Sequence, residues 1–177
     1  MEKPMSRFSF KFMSLEFKIR DLLYPREKIL AEAGIVEGDV VLDFGCGPGS
    51  YTIPAAEMVG KGGKVYAIDI HPLAIESVSK RAAKRNLKNI TTKKTGRATG
   101  LPDGAVDIVL LYDILHHLEK PREILAELAR VLKPEGVLSV SDHHLKEEAI
   151  IEKITESGRF CLEREGKRII QFKKRKR

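Results

Sequence analysis

Short apolar runs and amphipathic stretches alternate along most of this chain. The runs near 40–44, 64–69, 89–93, 106–111 and 136–141 have the length and branching of buried strands. Segments near 50–59, 72–86 and 121–132 follow a helical period instead. Ala74, Val78 and Ala82 recur every four residues, as on a helix lying against a sheet. The 121–132 stretch opens on Pro121 and sets Ile124, Leu125, Leu128, Val131 and Leu132 on one stripe. Lys133-Pro134-Glu135-Gly136 is expected to stop it. Alternating strand and helix, with apolar strands, predicts an α/β fold whose parallel sheet is covered on both faces.

The two ends depart from that rhythm. Lys146 to Ser157 predicts a helix with Ile150, Ile151 and Ile154 inward, closed by Gly158. Arg159–Glu163 and Arg168–Phe172 then flank Arg164-Glu165-Gly166-Lys167, the pattern of a hairpin. At the other end, Ser14–Leu23 and Pro25–Ala33 read as helices, the second ending at Gly34. Residues 1–35 also carry Phe8, Phe10, Phe12 and Phe17, four of the seven phenylalanines. These aromatics either cover the sheet or roof a binding site.

Composition narrows the class. A chain of 177 residues, 42% hydrophobic, suits one domain rather than two. The net charge of +7 comes from 32 basic and 25 acidic residues, and Lys173 to Arg177 supply five of the positive charges. Such a tail is a contact for RNA or anionic lipid, or simply a solvated end. Cys46 and Cys161 are too few for a disulfide framework, which suits reduced thiols in a cytoplasmic setting. No apolar run nears the roughly 20 residues of a membrane span, and Met1-Glu2-Lys3-Pro4 begins no apolar signal core.

The chemistry gathers at the ends of the strands. Val40-Val41-Leu42-Asp43-Phe44 runs into Gly45-Cys46-Gly47-Pro48-Gly49-Ser50-Tyr51-Thr52, a loop with glycine at every second position before a helix start. Glycines there let the backbone approach a ligand, and the helix start offers N–H groups. A dinucleotide fingerprint needs G-x-G-x-x-G, whereas the order here is G-x-G-x-G. Asp43 would repel a pyrophosphate and attract an ammonium group. Asp69 closes the next strand, Lys64-Val65-Tyr66-Ala67-Ile68-Asp69, at the distance one βαβ unit needs, where a carboxylate accepts two ribose hydroxyls.

These two motifs resemble those of the class I S-adenosylmethionine-dependent methyltransferases, in the small-molecule branch (methyltransferase type 11/25-like). The resemblance spans about 36–172. It implies a seven-stranded, mostly parallel Rossmann-like sheet, helices on both faces, and a C-terminal antiparallel hairpin whose last strand inserts between the fifth and sixth. It implies S-adenosyl-L-methionine as cofactor, held by Asp43, Gly45, Cys46, Gly47, Gly49, Tyr51, Asp69, Ile70, Arg97, Ala98 and Tyr112. Residues 1–35 become a helical lid and 173–177 a basic tail. One departure is plain: Thr95-Gly96-Arg97-Ala98-Thr99-Gly100-Leu101-Pro102 lacks the acid that in this family accepts a bond from the adenine amine.

The carboxyl edges of the fourth and fifth strands, Tyr112–Leu118 and Ser141–His144, face the transferred methyl group in such a fold. Asp113, His117 and His143 are the candidates for a base that takes a proton from the acceptor. They could equally be helix caps and partly buried polar residues. His116, His117, His143 and His144 reach one edge, but adjacent residues point apart on most backbones, so no metal is expected. The Asn/Asp-Pro-Pro-Tyr/Phe signature of enzymes that methylate base and glutamine amino groups is absent after position 113. The expected acceptor is a small molecule. An RNA- or protein-directed methyltransferase and a non-catalytic S-adenosylmethionine-binding protein are the alternatives.

Overall fold

The computed structural model describes residues 5–175. Seven strands form one sheet: β1 (Val40–Phe44), β2 (Lys64–Asp69), β3 (Ile90–Lys94), β4 (Val106–Tyr112), β5 (Leu132–Ser141), β6 (Phe160–Glu165) and β7 (Ile170–Lys174). Their order is β3-β2-β1-β4-β5-β7-β6. The first five pair in parallel, and β7 runs antiparallel to both β5 and β6. The strand order reverses between β1 and β4, the place where an open sheet of this kind receives its ligand.

Central strands are apolar on both faces because helices cover both. Val41, Ile108 and Leu110 meet Ala55, Ala56 and Val59 of α3 (Thr52–Val59) on one side. Leu42, Phe44, Val109 and Leu111 meet Ile124, Leu125 and Leu128 of α5 (Pro121–Val131) on the other. Burial of this kind contributes about 1.5–3 kcal/mol for each large side chain. Between β2 and β3, α4 (Pro72–Lys84) turns Ala74, Val78 and Ala82 inward, the predicted face.

The N-terminal helices differ from each other. α2 (Glu27–Glu32) is shorter than predicted, and its Ile29 and Leu30 belong to the same core as Val41 and Ala55. α1 (Arg7–Leu23) starts earlier than predicted because Ser6 caps it, accepting a bond from the Ser9 N–H at 3.1 Å. The segment expected to form a lid over 1–35 therefore divides: α2 is part of the core, and α1 alone crosses the carboxyl edge of the sheet.

Two further boundaries move. No coil separates α5 from β5, since strand pairing resumes at Leu132, opposite Val106, and an irregularity in β4–β5 pairing absorbs the 133–136 segment. The hairpin also runs two residues later than read. α6 (Glu147–Thr155) leads into β6, and Lys173 and Lys174 pair within the sheet, opposite Val137 and Phe160. Two of the five residues expected in the tail are thus strand residues, while Lys176 and Arg177 lie outside the described residues. Ending the chain after Lys174 should leave the melting temperature almost unchanged. Ending it after Phe172 should lower it by several degrees, because β7 loses pairs with both neighbours; thermal denaturation of the two truncations checks this.

Candidate functional site

The glycine loop owes its shape to positive φ angles at Gly45, Gly47 and Gly49, of 83°, 51° and 89°. Gly45 and Cys46 both donate to the Ile68 carbonyl, at 2.8 and 3.0 Å, so the loop is tied to the end of β2. A Cβ on Gly45 would stand 2.9 Å from Cγ1 of Ile114, which places the loop against the edge of β4. A Cβ on Gly49 would press Val78 of α4, whereas the space beside Gly47 is open. The loop is therefore packed from behind and accessible in front.

Two carboxylates flank it. Asp43 is 2% exposed and accepts one side-chain bond, from the Thr52 hydroxyl at 2.6 Å. Burial pushes its carboxyl up from 3.8 to about 7, with the nearby Asp69 charge adding to the rise against the Thr52 bond. Asp69 is raised too, again chiefly by burial. It accepts from the Gly47 N–H at 2.9 Å and the His71 N–H at 2.7 Å, one bond to each oxygen. Each oxygen keeps a second acceptor site, the requirement for holding adjacent ribose hydroxyls. The Ser50 hydroxyl, buried at the start of α3, has no hydrogen-bond partner in the structure. The open face at Gly47, the orphan Ser50 hydroxyl and two acids needing a cation fit S-adenosylmethionine better than a pyrophosphate.

The adenine side is unusual for a physical reason. A Cβ on Gly96 would collide with Cγ2 of Ile70, so Ile70 occupies the space an acidic side chain would need. Arg97 is exposed and pairs with Glu123 at 3.7 Å, and Ala98 is exposed beside it. The segment is anchored one residue on. The Thr99 N–H and hydroxyl both donate to Glu127, at 2.8 and 2.6 Å, and Arg130 holds that carboxylate and pulls it down to about 2.

α1 reaches this edge from above. Its Phe10 is buried against Cys46, Ala67 and Val78 and stacks on His71, with centroids 4.4 Å apart and an interplanar angle of 13°. His71 accepts the Leu73 N–H on Nδ1, so its proton sits on Nε2 and is donated to the Met5 carbonyl at 3.1 Å. At the far end of the helix, an Arg20 guanidinium nitrogen lies 3.7 Å from Asp113. Tyr51 sits beneath Arg20 and Arg26, and its ring meets Tyr112 edge-on at 4.7 Å. The Tyr112 hydroxyl is 2.7 Å from Ser139 Oγ, so it is engaged in the core rather than offered to a ligand.

The edges of β4 and β5 come together as two acid–histidine pairs. Asp113, in a left-handed conformation with φ 54°, lies 2.7 Å from Nδ1 of His143. Asp142 is 2.8 Å from Nδ1 of His116 and also accepts the His116 and His144 N–H groups. Burial would raise the Asp142 carboxyl, but these bonds outweigh it and hold it below the ordinary range. The rings of His117, His116, His144 and His143 follow one another in a row, each tilted on the next, with centroids 3.9, 4.3 and 3.9 Å apart. Of the three expected bases, Asp113 and His143 form a pair, and His117 stands at the opposite end of the row. Sequence reasoning missed Arg20, His71, Ser50 and the Asp142–His116 pair. A long-range partner or an orphaned hydroxyl leaves no local pattern in a chain.

A glycine loop with flanking acids at the switch point of a Rossmann-like sheet defines a nucleoside-cofactor fold. The model of the methyltransferase domain family matches residues 35–174. The chain is 32% identical over 117 residues to a demethylmenaquinone methyltransferase of Lactobacillus johnsonii, covering 65% of this chain and 48% of that enzyme. It is 37% identical over 116 residues to the erythromycin 3''-O-methyltransferase of Saccharopolyspora erythraea, covering 64% and 38%. Among solved structures, an S-adenosylmethionine-dependent methyltransferase from Aquifex aeolicus superposes with a TM-score of 0.77 at 30% identity, over 90% of this chain and 96% of that one. This chain belongs to the class I S-adenosylmethionine-dependent methyltransferases. It spans half or less of the length of the curated relatives just named.

The Asp43 shift carries a sign. Between pH 3.8 and about 7 the folded protein keeps a proton that the unfolded chain has released, so stability falls as pH rises through that window. Asp43→Asn removes this loss. At pH 8 without ligand the variant should be more stable than the parent, on the order of 2–4 kcal/mol, with the advantage gone at pH 4. Urea denaturation at the two pH values measures it.

Proposed function

We propose that this protein transfers the methyl group of S-adenosylmethionine to a hydroxyl oxygen of a small apolar molecule, with His143 as the base. The observation that carries this reading is the Asp113–His143 pair on the strand edge that touches the glycine loop through Ile114. The cofactor supplies a sulfonium methyl with a neutral leaving group, so the protein's work is alignment and, for a hydroxyl acceptor, removal of one proton.

Each residue then has a role. Asp69 receives the ribose hydroxyls, Asp43 balances the cationic methionine end, and Ile70 lies against the adenine. Asp113 accepts the Nδ1 proton of His143 and so leaves Nε2 unprotonated toward the acceptor. Arg20 limits the motion of Asp113 from above. α1 and its aromatic anchor Phe10 roof the site. Small-molecule acceptors in the relatives' names, demethylmenaquinone and erythromycin, support an acceptor of this size. A cytoplasmic setting suits the unpaired thiols of Cys46 and Cys161.

The test is formation of S-adenosylhomocysteine from S-adenosylmethionine with a panel of phenols, hydroquinones and secondary alcohols. A hydroxyl acceptor should give methyl ether. His143→Ala should lower turnover about 10²–10⁴-fold, with cofactor affinity within about twofold of the parent. Turnover of the panel unaffected by His143→Ala would remove the base from this account. Tight cofactor binding without product from any acceptor would favour a non-catalytic binding protein.

A further inference from the structure

The outer face of α1 carries an apolar pattern that the described residues leave largely uncovered, although Leu15 borders a groove against α4. Phe8, Phe12, Leu15, Ile19 and Leu22 recur at spacings of four, three, four and three residues, and each is between 56% and 83% exposed. Leu23 extends the stripe at 66% exposure. The inner face of the same helix is already taken up by Phe10, packed on the glycine loop. Together the six outer side chains expose roughly 700 Å² of apolar surface, more than a typical monomer leaves in one patch and close to the ~800 Å² per partner of a standard interface.

The spacing is that of a heptad repeat, with Phe8, Leu15 and Leu22 at d and Phe12 and Ile19 at a. The positions beside this seam carry charges of opposite sign. Lys11 and Lys18 precede the a residues, and Glu16 follows Leu15. All three are exposed. In a parallel pair, Lys11 of one helix faces Glu16 of the partner subunit, and symmetry forms that contact twice. An antiparallel pair would bring Lys11 toward Lys18 of the partner subunit. A helix lying on an anionic membrane wants cations on both flanks, whereas one flank here carries Ser9, Glu16 and Leu23.

We infer that the outer face of α1 is the docking surface for a second copy of this chain, through a parallel, two-fold α1–α1 pair. A 17-residue helix draws most of its stability from packing rather than from its own hydrogen bonds. Here it is folded in advance: Ser6 caps it, Phe10 seats it and Arg20 pins its far end to Asp113. The inference rests on the surface of α1 alone and stands whatever the acceptor is.

Analytical ultracentrifugation of the full chain, from about 5 to 200 μM, reads the state directly. The parent should be a dimer across the upper part of this range, and Ile19→Lys a monomer with an unchanged circular-dichroism spectrum. Lys11→Glu should weaken dimerisation about tenfold, and Lys11→Glu combined with Glu16→Lys should restore it. Leu22→Cys in a Cys161→Ser background should cross-link to itself under mild oxidation, because only the parallel pair sets residue 22 opposite its own copy. A monomeric parent at the highest concentration overturns the inference, and co-flotation of that monomer with phosphatidylglycerol vesicles would assign the face to lipid. A dimer indifferent to Ile19→Lys, or one in which Leu22→Cys does not cross-link, overturns it as well.

Discussion

The burial of two carboxylates at the ends of adjacent parallel strands is the constraint on which the rest of the site depends. Asp43 and Asp69 sit where the apolar strands β1 and β2 stop, and both are pushed toward the protonated form by burial. Leaving a charge in such a place is unfavourable unless hydrogen bonds or a cation offset it. Backbone N–H groups do so for Asp69, and the Thr52 hydroxyl and backbone N–H do so in part for Asp43, whose carboxyl burial still raises. The glycine loop between the acids has no side chain to block the approach of a cationic ligand at Gly47. Two buried acids beside an open glycine loop favour a positively charged ligand over a pyrophosphate.

The cofactor half was legible in the sequence because its signals are local. Alternating glycines, an acid before them and an acid one βαβ unit later all lie within thirty residues, and each type has a backbone or charge reason to be there. The place of the last strand between the fifth and sixth was implied by the family resemblance, and the sheet has that order. Boundaries moved where a local signal met a tertiary one. Pro134 and Gly136 look like a terminator, yet pairing with β4 carries β5 across them. Lys173 and Lys174 look like a solvated tail, yet β5 and β6 both need them as partners.

The acceptor half was legible only as a list of residue types. Three bases were candidates, and Asp113 and His143, thirty positions apart, lie 2.7 Å from each other. Arg20, which steadies Asp113, comes from a helix at the other end of the chain. The missing adenine acid could be noticed from sequence but explained only by the side chain of Ile70 filling the space at Gly96. This division matches the relatives, whose names share a methyl transfer but give different acceptors. One half of the edge is built from short-range motifs, and the other is assembled from the ends of separate elements.

Recruitment of a cationic cofactor by a buried acid is tested most directly by the protons exchanged on binding. Calorimetric titration of S-adenosylmethionine near pH 7, in buffers of different ionisation enthalpy, measures them. Binding that ionises Asp43, whose carboxyl titrates at about 7, should release about half a proton more from the parent than from Asp43→Asn. Equal proton release by the parent and Asp43→Asn, with equal affinity, would contradict the account.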